Sequence, residues 1–330
     1  MLFSPLDVGI DLGTASVLIH VKNRGIVLHE PSIVVLDKNT EEVVAIGEEA
    51  LDMLGKTPGS LTVIRPLRDG VISDYEITQK MLQYFMNKVL GRRLRRPRVM
   101  VCVPSGVTDV EQRAVGDAAR ALGAKEVHII EEPLAAAIGA GLNVSGPHGA
   151  MVVDIGGGTT DIAIVSMRDI VVSHSIKSAG NKMDEAIVRY MRRKHNLLIG
   201  ERSAETIKKT VGSVYDMENI LEMEVMGRSV LSGLPRSTTV TSEDVKEALS
   251  EVTSEILAGI HKVLESTPPE LCADIFEMGI VLTGGGSQLL GLDRLIATDT
   301  QVPCRVADDP IACVVLGTGK CIESLDKRGR

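Results

Sequence analysis

Two stretches of the chain repeat one chemical grammar. Residues 7–19 (DVGIDLGTASVLI) and 152–164 (VVDIGGGTTDIAI) each run through an apolar strand, an Asp, an apolar residue, a glycine turn with small hydroxyl residues, and a second apolar strand. Each reads as a β-hairpin whose first strand ends on a carboxylate, Asp11 or Asp154. A glycine-lined tip leaves backbone N–H groups unshielded, so two tips facing one cleft can hold a polyphosphate from both sides. In that reading Gly13, Thr14, Ala15 and Ser16 grip from the first half, and Gly156, Gly157, Gly158, Thr159 and Thr160 from the second. Asp11 and Asp154 can then reach a Mg²⁺ ion through its water shell, since Mg²⁺ keeps several waters and takes few protein carboxylates. Taken singly, each turn also fits a plain tight turn and each Asp a turn cap. One mechanism accounts for both copies together.

Glu131 follows the apolar run 127–130 and precedes Glu132-Pro133, which places it at a strand end. Its candidate role is to orient or polarise an attacking water. A third glycine turn, Thr283-Gly284-Gly285-Gly286-Ser287, lies between a strand ending at Leu282 and a helix expected to begin near Gln288. Strand, glycine turn and helix together bring backbone and a helix N-terminus against a ligand. Neither a P-loop nor a Rossmann fingerprint occurs, because Gly317-Thr318-Gly319-Lys320 lacks both the upstream Gly and a following hydroxyl.

The elements that must position these residues follow from hydrophobic period. Strands are expected over 6–12, 17–22, 32–36, 98–103, 127–131, 151–155, 161–166, 170–175 and 279–283, alternating with helices over 75–90, 109–122, 183–195, 204–211 and 242–265. That alternation is the pattern of a mixed α/β protein. In the last helix Val245, Leu249, Val252, Ile256, Ile260 and Val263 step by three or four, so one stripe faces a core, and Ser242 reads as its N-cap.

The chain has 330 residues, enough for two domains sharing a cleft. Hydrophobic residues make up 44%, but aromatics only 2% with no Trp, so Val, Ile, Leu, Met and Ala must fill the core. A net charge of −8 argues against a general nucleic-acid binder. Cys102, Cys272, Cys304, Cys313 and Cys321 are odd in number, widely spread and mostly set in apolar runs, which reads as buried thiols in a reducing cytoplasm and argues against a disulfide framework or a zinc site. Asp7 and Asp11 interrupt the early apolar stretch, so no signal-peptide pattern is read and a cytoplasmic location is expected.

At this point the motifs carry a resemblance. Asp11-Leu12-Gly13-Thr14, the run from Asp154 to Asp161, and Thr283-Gly284-Gly285-Gly286 resemble the first phosphate loop, second phosphate loop and adenosine loop of actin-like ATPases. Residues 25–32 (GIVLHEPS), 65–72 (RPLRDGVI), 131–140 (EEPLAAAIGA), 199–205 (IGERSAE) and 262–271 (KVLESTPPEL) resemble the MreB/Mbl family of bacterial rod-shape proteins along essentially the whole chain. Residues 17–22 and Thr160-Asp161-Ile162 lean towards the Mbl branch.

The resemblance implies an actin-like ATPase fold, a duplicated ribonuclease H-like α/β architecture with the nucleotide between two domains. Domain I would span 1–143, with a small subdomain at about 33–65, and be rejoined by 308–330. Domain II would span 144–307 with a small subdomain at about 180–241. It further implies ATP with Mg²⁺, Glu131 and Thr159 near the hydrolytic water, and Glu205, Thr206, Ile207 and Lys208 near ribose and adenine. Gly284, Gly285, Gly286, Ser287, Gln288, Leu289 and Leu290 would form the adenosine loop. Family members hydrolyse ATP, polymerise into paired antiparallel protofilaments on the inner face of the membrane, and organise wall synthesis with cell-shape partners.

Three positions depart from the family pattern. Ser16 stands where Asn is common, and Asn181 stands where Asp is usual after Ala179-Gly180. The loop at 91–96 (GRRLRR) presents one apolar residue, Leu94, among Arg92, Arg93, Arg95 and Arg96, and reads either as a solvated loop or as a contact to anionic headgroups aided by Met1, Leu2 and Phe3. Within the same fold, the alternatives are a small-molecule kinase and a nucleotide-binding scaffold without hydrolysis.

Overall fold

Val, Ile and Leu alternate with glycine and Asp in the first hairpin, and the chain does there what that pattern asks. Asp7–Leu12 pairs antiparallel with Ser16–Val21, closing at Leu12 opposite Val17. The second copy does the same: Ala150–Ile155 pairs with Thr160–Ser166, closing at Ile155 opposite Thr160. The computed structural model describes residues 6–91, 96–216 and 218–328, so the proposed lipid contact at Leu94, Arg92, Arg93 and Arg95, and at Met1, Leu2 and Phe3, lies outside the described residues.

Each hairpin sits in the middle of a five-stranded sheet, and the two sheets share one topology. In the first, the order is Glu126–Glu131, Arg98–Val103, Asp7–Leu12, Ser16–Val21, Gly25–Pro31; in the second it is Cys304–Val306, Ile280–Thr283, Ala150–Ile155, Thr160–Ser166, Asp169–Ile176. In both, a three-stranded antiparallel meander is extended on one side by two parallel strands. The echo heard in two short strings is thus an echo of two whole sheets.

Helices cover these sheets where the period says they should. Tyr75–Leu90 starts on Asp74, whose carboxylate accepts from the Ile77 N–H, and buries Ile77, Met81, Leu82, Phe85 and Met86. Ser242–Glu265 buries the whole stripe from Val245 to Val263, but its cap is Thr241 and not Ser242. Thr241 accepts from the Asp244 N–H at 3.2 Å while Asp244 accepts from the Thr241 N–H at 3.1 Å, a reciprocal arrangement that Ser242, one residue later, has no geometry to make. Three smaller sheets complete the described fold: Val34–Asp37 between Val43–Ile46 and Leu61–Ile64, Glu222–Ser229 between Leu197–Leu198 and Pro235–Thr241, and the two-stranded pair of Leu67–Arg68 with Val71–Ile72. Of the five cysteines expected to be buried, only Cys102 and Cys313 are.

Between the two large sheets lie two helices, Glu132–Gly139 and Cys313–Arg328. Their contact is unusually close: a Cβ on Gly139 would lie 1.7 Å from the Cys313 carbonyl oxygen, and one on Gly317 would lie 1.9 Å from that of Ala135. Small residues Ala135, Ala136, Ala137, Val152, Ala163 and Val165 fill the layer around them. This packing fixes the start of Glu132–Gly139 relative to both sheets. We expect Gly317→Ala to lower stability by about 1–3 kcal/mol, the usual range for overpacking, read as a lower thermal midpoint. An unchanged midpoint would show that the helices can part without cost.

Candidate functional site

The strand ends of both sheets open onto one cleft of about 1450 Å³, lined from the first half by Asp11, Gly13, Thr14, Ala15 and Ser16 and from the second by Asp154, Gly156, Gly157, Gly158 and Thr159. The hairpin tips meet there. A Cβ on Gly157 would lie 2.6 Å from the Ala15 Cβ, and one on Gly158 would lie 2.6 Å from the Thr14 hydroxyl, so neither glycine can be larger without forcing the tips apart. Thr14 Oγ1 also accepts from the Gly70 N–H at 3.0 Å, and the Ser32 hydroxyl donates to the Gly13 carbonyl at 2.7 Å. The N–H groups of Thr14, Ala15, Gly157 and Gly158 find no acceptor among the described residues. Helix Gly180–Lys194 begins against the second tip, with the Gly180 and Asn181 N–H groups donating to the Gly156 and Gly157 carbonyls at 3.1 and 2.8 Å. Its positive end adds to the anion-attracting field.

Beneath the tips sit four carboxyl groups with no basic side chain bonded to any of them among the described residues: Asp11, Glu132, Asp154 and Asp161. Burial pushes Asp154 up to about 7, against the opposing bond that its Oδ1 accepts from the Thr283 hydroxyl at 2.6 Å. Burial likewise raises Asp11 to about 6, opposed by the Cys102 thiol donating at 3.3 Å. Asp161 is raised to about 6, chiefly by burial and against a bond from the Ser105 N–H at 2.9 Å; its Oδ2 has no partner. Glu132 is held well above the carboxylate range by burial first and then by the charges of Asp161, Asp11 and Asp154. Burying this much like charge is costly unless a cation offsets it. The donor set, carboxylate oxygens only at Asp11 and Asp154 with one oxygen of each unbonded, fits a hydrated Mg²⁺ ion.

The placement differs from the sequence reading at several residues. Glu131 is exposed, off the cleft wall, and accepts a hydrogen bond from the Ser105 hydroxyl at 2.9 Å. Glu131 ends a strand and Glu132 begins a helix, so the chain turns between them and it is Glu132, 8% exposed, that lines the cleft. Thr159 faces the cleft as expected. Thr160 is fully buried and donates to the Ser178 carbonyl at 2.6 Å, bracing the loop from behind.

Of the block 205–208, Glu205 and Lys208 line the cleft, Thr206 turns outward to donate to the Arg202 carbonyl at 2.8 Å, and Ile207 is buried in the core. The block lies on helix Glu201–Val211, where residues three and four apart share a face, so Lys209 and Arg202 join the wall instead. Lys208 Nζ contacts Asp184 at 2.8 Å and donates to the Gly180 carbonyl at 3.0 Å. Gly284, Gly285, Gly286, Gln288, Leu289 and Leu290 line the cleft, but Ser287 is buried and donates to the Gly284 carbonyl at 2.7 Å. The expected helix near Gln288 is only a 3₁₀ turn, Gly285–Gln288; the helix itself is Leu292–Thr300, after left-handed Gly291. Ser16 and Asn181 both face the cleft.

Three ion pairs span the mouth: Arg65–Glu201 at 3.2 Å, Arg202–Asp52 at 3.3 Å and Lys177–Asp69 at 3.9 Å. All involve exposed groups, where such pairs contribute about 0–1 kcal/mol each. They favour a closed mouth without locking it.

Comparisons with known proteins cover nearly the whole chain. The sequence model of the MreB/Mbl protein family matches residues 5–330. The chain is 53% identical over 322 residues to the cell shape-determining protein Mbl of Bacillus cereus, covering 97% of each. It is 49% identical over 329 residues to the cell shape-determining protein MreB of Escherichia coli, covering 98% of this chain and 95% of that one. The crystal structure of MreB5 of Spiroplasma citri bound to ADP superposes with a TM-score of 0.94 at 40% identity, over 99% of this chain and 98% of that one. The fold is therefore that of the actin-like ATPases. Matched by the family over residues 5–330 and about half identical to its curated members over nearly the whole chain, this chain belongs to the MreB/Mbl family.

Proposed function

We propose that the protein binds ATP with Mg²⁺ in the cleft, hydrolyses it, and couples that cycle to polymerisation into filaments that determine cell shape. The observation that carries this reading is the pair of glycine tips meeting over four buried carboxyl groups that have no cationic partner among the described residues. The ADP in the Spiroplasma relative supports it. The free N–H groups at 14, 15, 157 and 158 would hold phosphate oxygens, and Asp11 and Asp154 would hold the Mg²⁺, which supplies charge neutralisation on the phosphates. Glu132, not Glu131, would orient and polarise the attacking water, with Thr159 beside it. Glu205, Lys208 and the turn at 284–290 would meet ribose and adenine.

In the same reading, domain I comprises 1–143 and 308–330 and domain II comprises 144–307, with the ion pairs at the mouth joining their small subdomains at about 33–65 and 180–241. The filament would be built of paired antiparallel protofilaments. It would lie at the anionic inner face of the membrane and work with cell-shape and cell-wall synthesis proteins. No helix among the described residues is long and apolar enough to cross a membrane, so any attachment must be peripheral or made elsewhere in the chain. Repetition of a weak lipid contact along a polymer would raise its effective affinity without any new contact.

Sedimentation tests the proposal. The protein should pellet with ATP and Mg²⁺, release phosphate with no added acceptor, and co-float with anionic vesicles in a salt-sensitive way. Phosphate release only on addition of a small hydroxyl acceptor would favour a kinase. Pelleting without any phosphate release would favour a scaffold.

A further inference from the structure

Cys102 lies buried behind the cleft wall, beside Asp11, and offers a sulfur donor that Mg²⁺ has no use for. It sits on Arg98–Val103, between Asp7–Leu12 and Glu126–Glu131, and the three parallel strands end side by side. Their ends therefore bring together Asp11, Cys102 and, one residue beyond the third strand, Glu132. One ligand atom from each lies within 4.8 Å of the others, and the Cys102 Sγ to Asp11 Oδ1 separation is 3.3 Å. Glu132 provides the second observation. Its side chain is more than nine-tenths buried, lines the cleft beside Asp11, and has neither a hydrogen bond nor an ion pair among the described residues. A carboxylate buried to that extent without a partner points to a ligand that offsets its charge.

We propose that Asp11, Cys102 and Glu132 form a site for a soft divalent transition cation of the Zn²⁺ class, bound through one sulfur and two carboxylates. Metal–sulfur and metal–oxygen distances of about 2.3 Å and 2.0–2.2 Å put neighbouring ligand atoms of a tetrahedral site about 3.3–3.7 Å apart. The Cys102 to Asp11 separation of 3.3 Å is within a few tenths of an ångström of that range for sulfur and oxygen. Glu132, pinned by no hydrogen bond, needs to move by about 1–1.5 Å at most to complete the set. Water entering from the cleft can supply the fourth position. Binding forms a metal–thiolate bond and two metal–carboxylate bonds, and releases to solvent the Cys102 proton together with any proton the two carboxyl groups carry, with no change of oxidation state. Thiolate selects zinc, cobalt or cadmium over Mg²⁺. Because Asp11 is shared, a soft cation here removes a carboxylate from the proposed Mg²⁺–nucleotide site, which makes the triad an inhibitory site.

Cobalt is the probe, added to the full chain without nucleotide, so the outcome is independent of ATP binding and hydrolysis. One Co²⁺ per chain should bind with a near-ultraviolet thiolate-to-cobalt charge-transfer band that survives excess Mg²⁺ and is abolished by Zn²⁺. Cys102→Ser should lose the band, Cys272→Ser should keep it, and Glu132→Gln should weaken cobalt binding by at least about tenfold, the scale seen when support for a metal site is removed. No band in the wild-type protein, a band retained in Cys102→Ser, or unchanged affinity in Glu132→Gln would overturn the proposal. Should Cys102→Ser fail to fold, zinc-edge X-ray absorption of the wild-type protein decides with the Glu132→Gln titration. One sulfur at about 2.3 Å supports the site, and a shell of nitrogen and oxygen alone overturns it.

Discussion

Glu132→Gln is expected to bind ATP and Mg²⁺ yet release phosphate about 10² times more slowly or worse, the usual scale for losing a positioned acid or base group. Glu131→Gln should turn over at close to the wild-type rate. The two residues are adjacent and chemically identical, so the contrast isolates geometry: one carboxyl faces the cleft, the other is exposed and bonded to Ser105. The amide keeps the size of the side chain and removes its charge from a cluster already crowded with Asp11, Asp154 and Asp161. Folding should therefore be preserved. Single-turnover phosphate release for both variants is the measurement, and a slow Glu131→Gln beside a normal Glu132→Gln would reverse the assignment.

Asp154→Asn should lower the affinity for ATP in the presence of Mg²⁺ by about 10–100-fold, and by more than Asp11→Asn does. Asp154 is tied to Thr283 at the third glycine turn as well as heading the second hairpin, so its loss loosens two walls of the cleft at once. Calorimetry with and without Mg²⁺ reads the difference; equal, wild-type affinity in both variants would remove the metal assignment. A pH effect accompanies it. In the cation-free protein Asp154 is raised from 3.8 to about 7, so the folded chain holds a proton that the unfolded chain has already released. Its contribution to stability is present in full at acid pH and is lost as pH rises through about 7. The metal-free wild-type protein should accordingly lose more thermal stability than Asp154→Asn between about pH 5 and pH 8. Saturating Mg²⁺ and nucleotide should erase that difference, because the cation favours the ionised form.

What the sequence discloses is set by how far local physics reaches. Both hairpins are legible because Asp, Gly and hydroxyl residues recur at fixed offsets between β-branched runs, and Tyr75–Leu90 and Ser242–Glu265 are legible to the residue because the hydrophobic period runs to both ends, although the cap of the second is Thr241 and not Ser242. Glu222–Ser229 and Pro235–Thr241 are not. Their residues are mostly polar and only Val225, Ser229 and Val240 are buried, so although exposure alternates along Glu222–Ser229 the apolar residues are too few to mark the period in sequence, and pairing across the hairpin completes the strands.

The differences in placement at the site have the same origin. Glu131 and Glu132 straddle a strand–helix junction, and the sign of that turn is decided by how Glu132–Gly139 packs on Cys313–Arg328, more than 170 residues away in sequence. Thr206 and Ile207 are contiguous with Glu205 and Lys208 in sequence, whereas a helix presents 205, 208 and 209 together, and its 3.6-residue period is the signal that points to Lys209. Ser287 follows three glycines in sequence but turns inward to close the loop they make.

A crystal structure of the protein with AMPPNP and Mg²⁺ decides whether the two tips grip one polyphosphate while Glu132 faces the bond to be broken. That arrangement puts phosphates between Thr14–Ser16 and Gly156–Thr159, the cation beside Asp11 and Asp154, and the Glu132 carboxylate towards the γ-phosphate with Glu131 still bonded to Ser105. Nucleotide bound away from the tips, or Glu131 in place of Glu132 at the γ-phosphate, would contradict it.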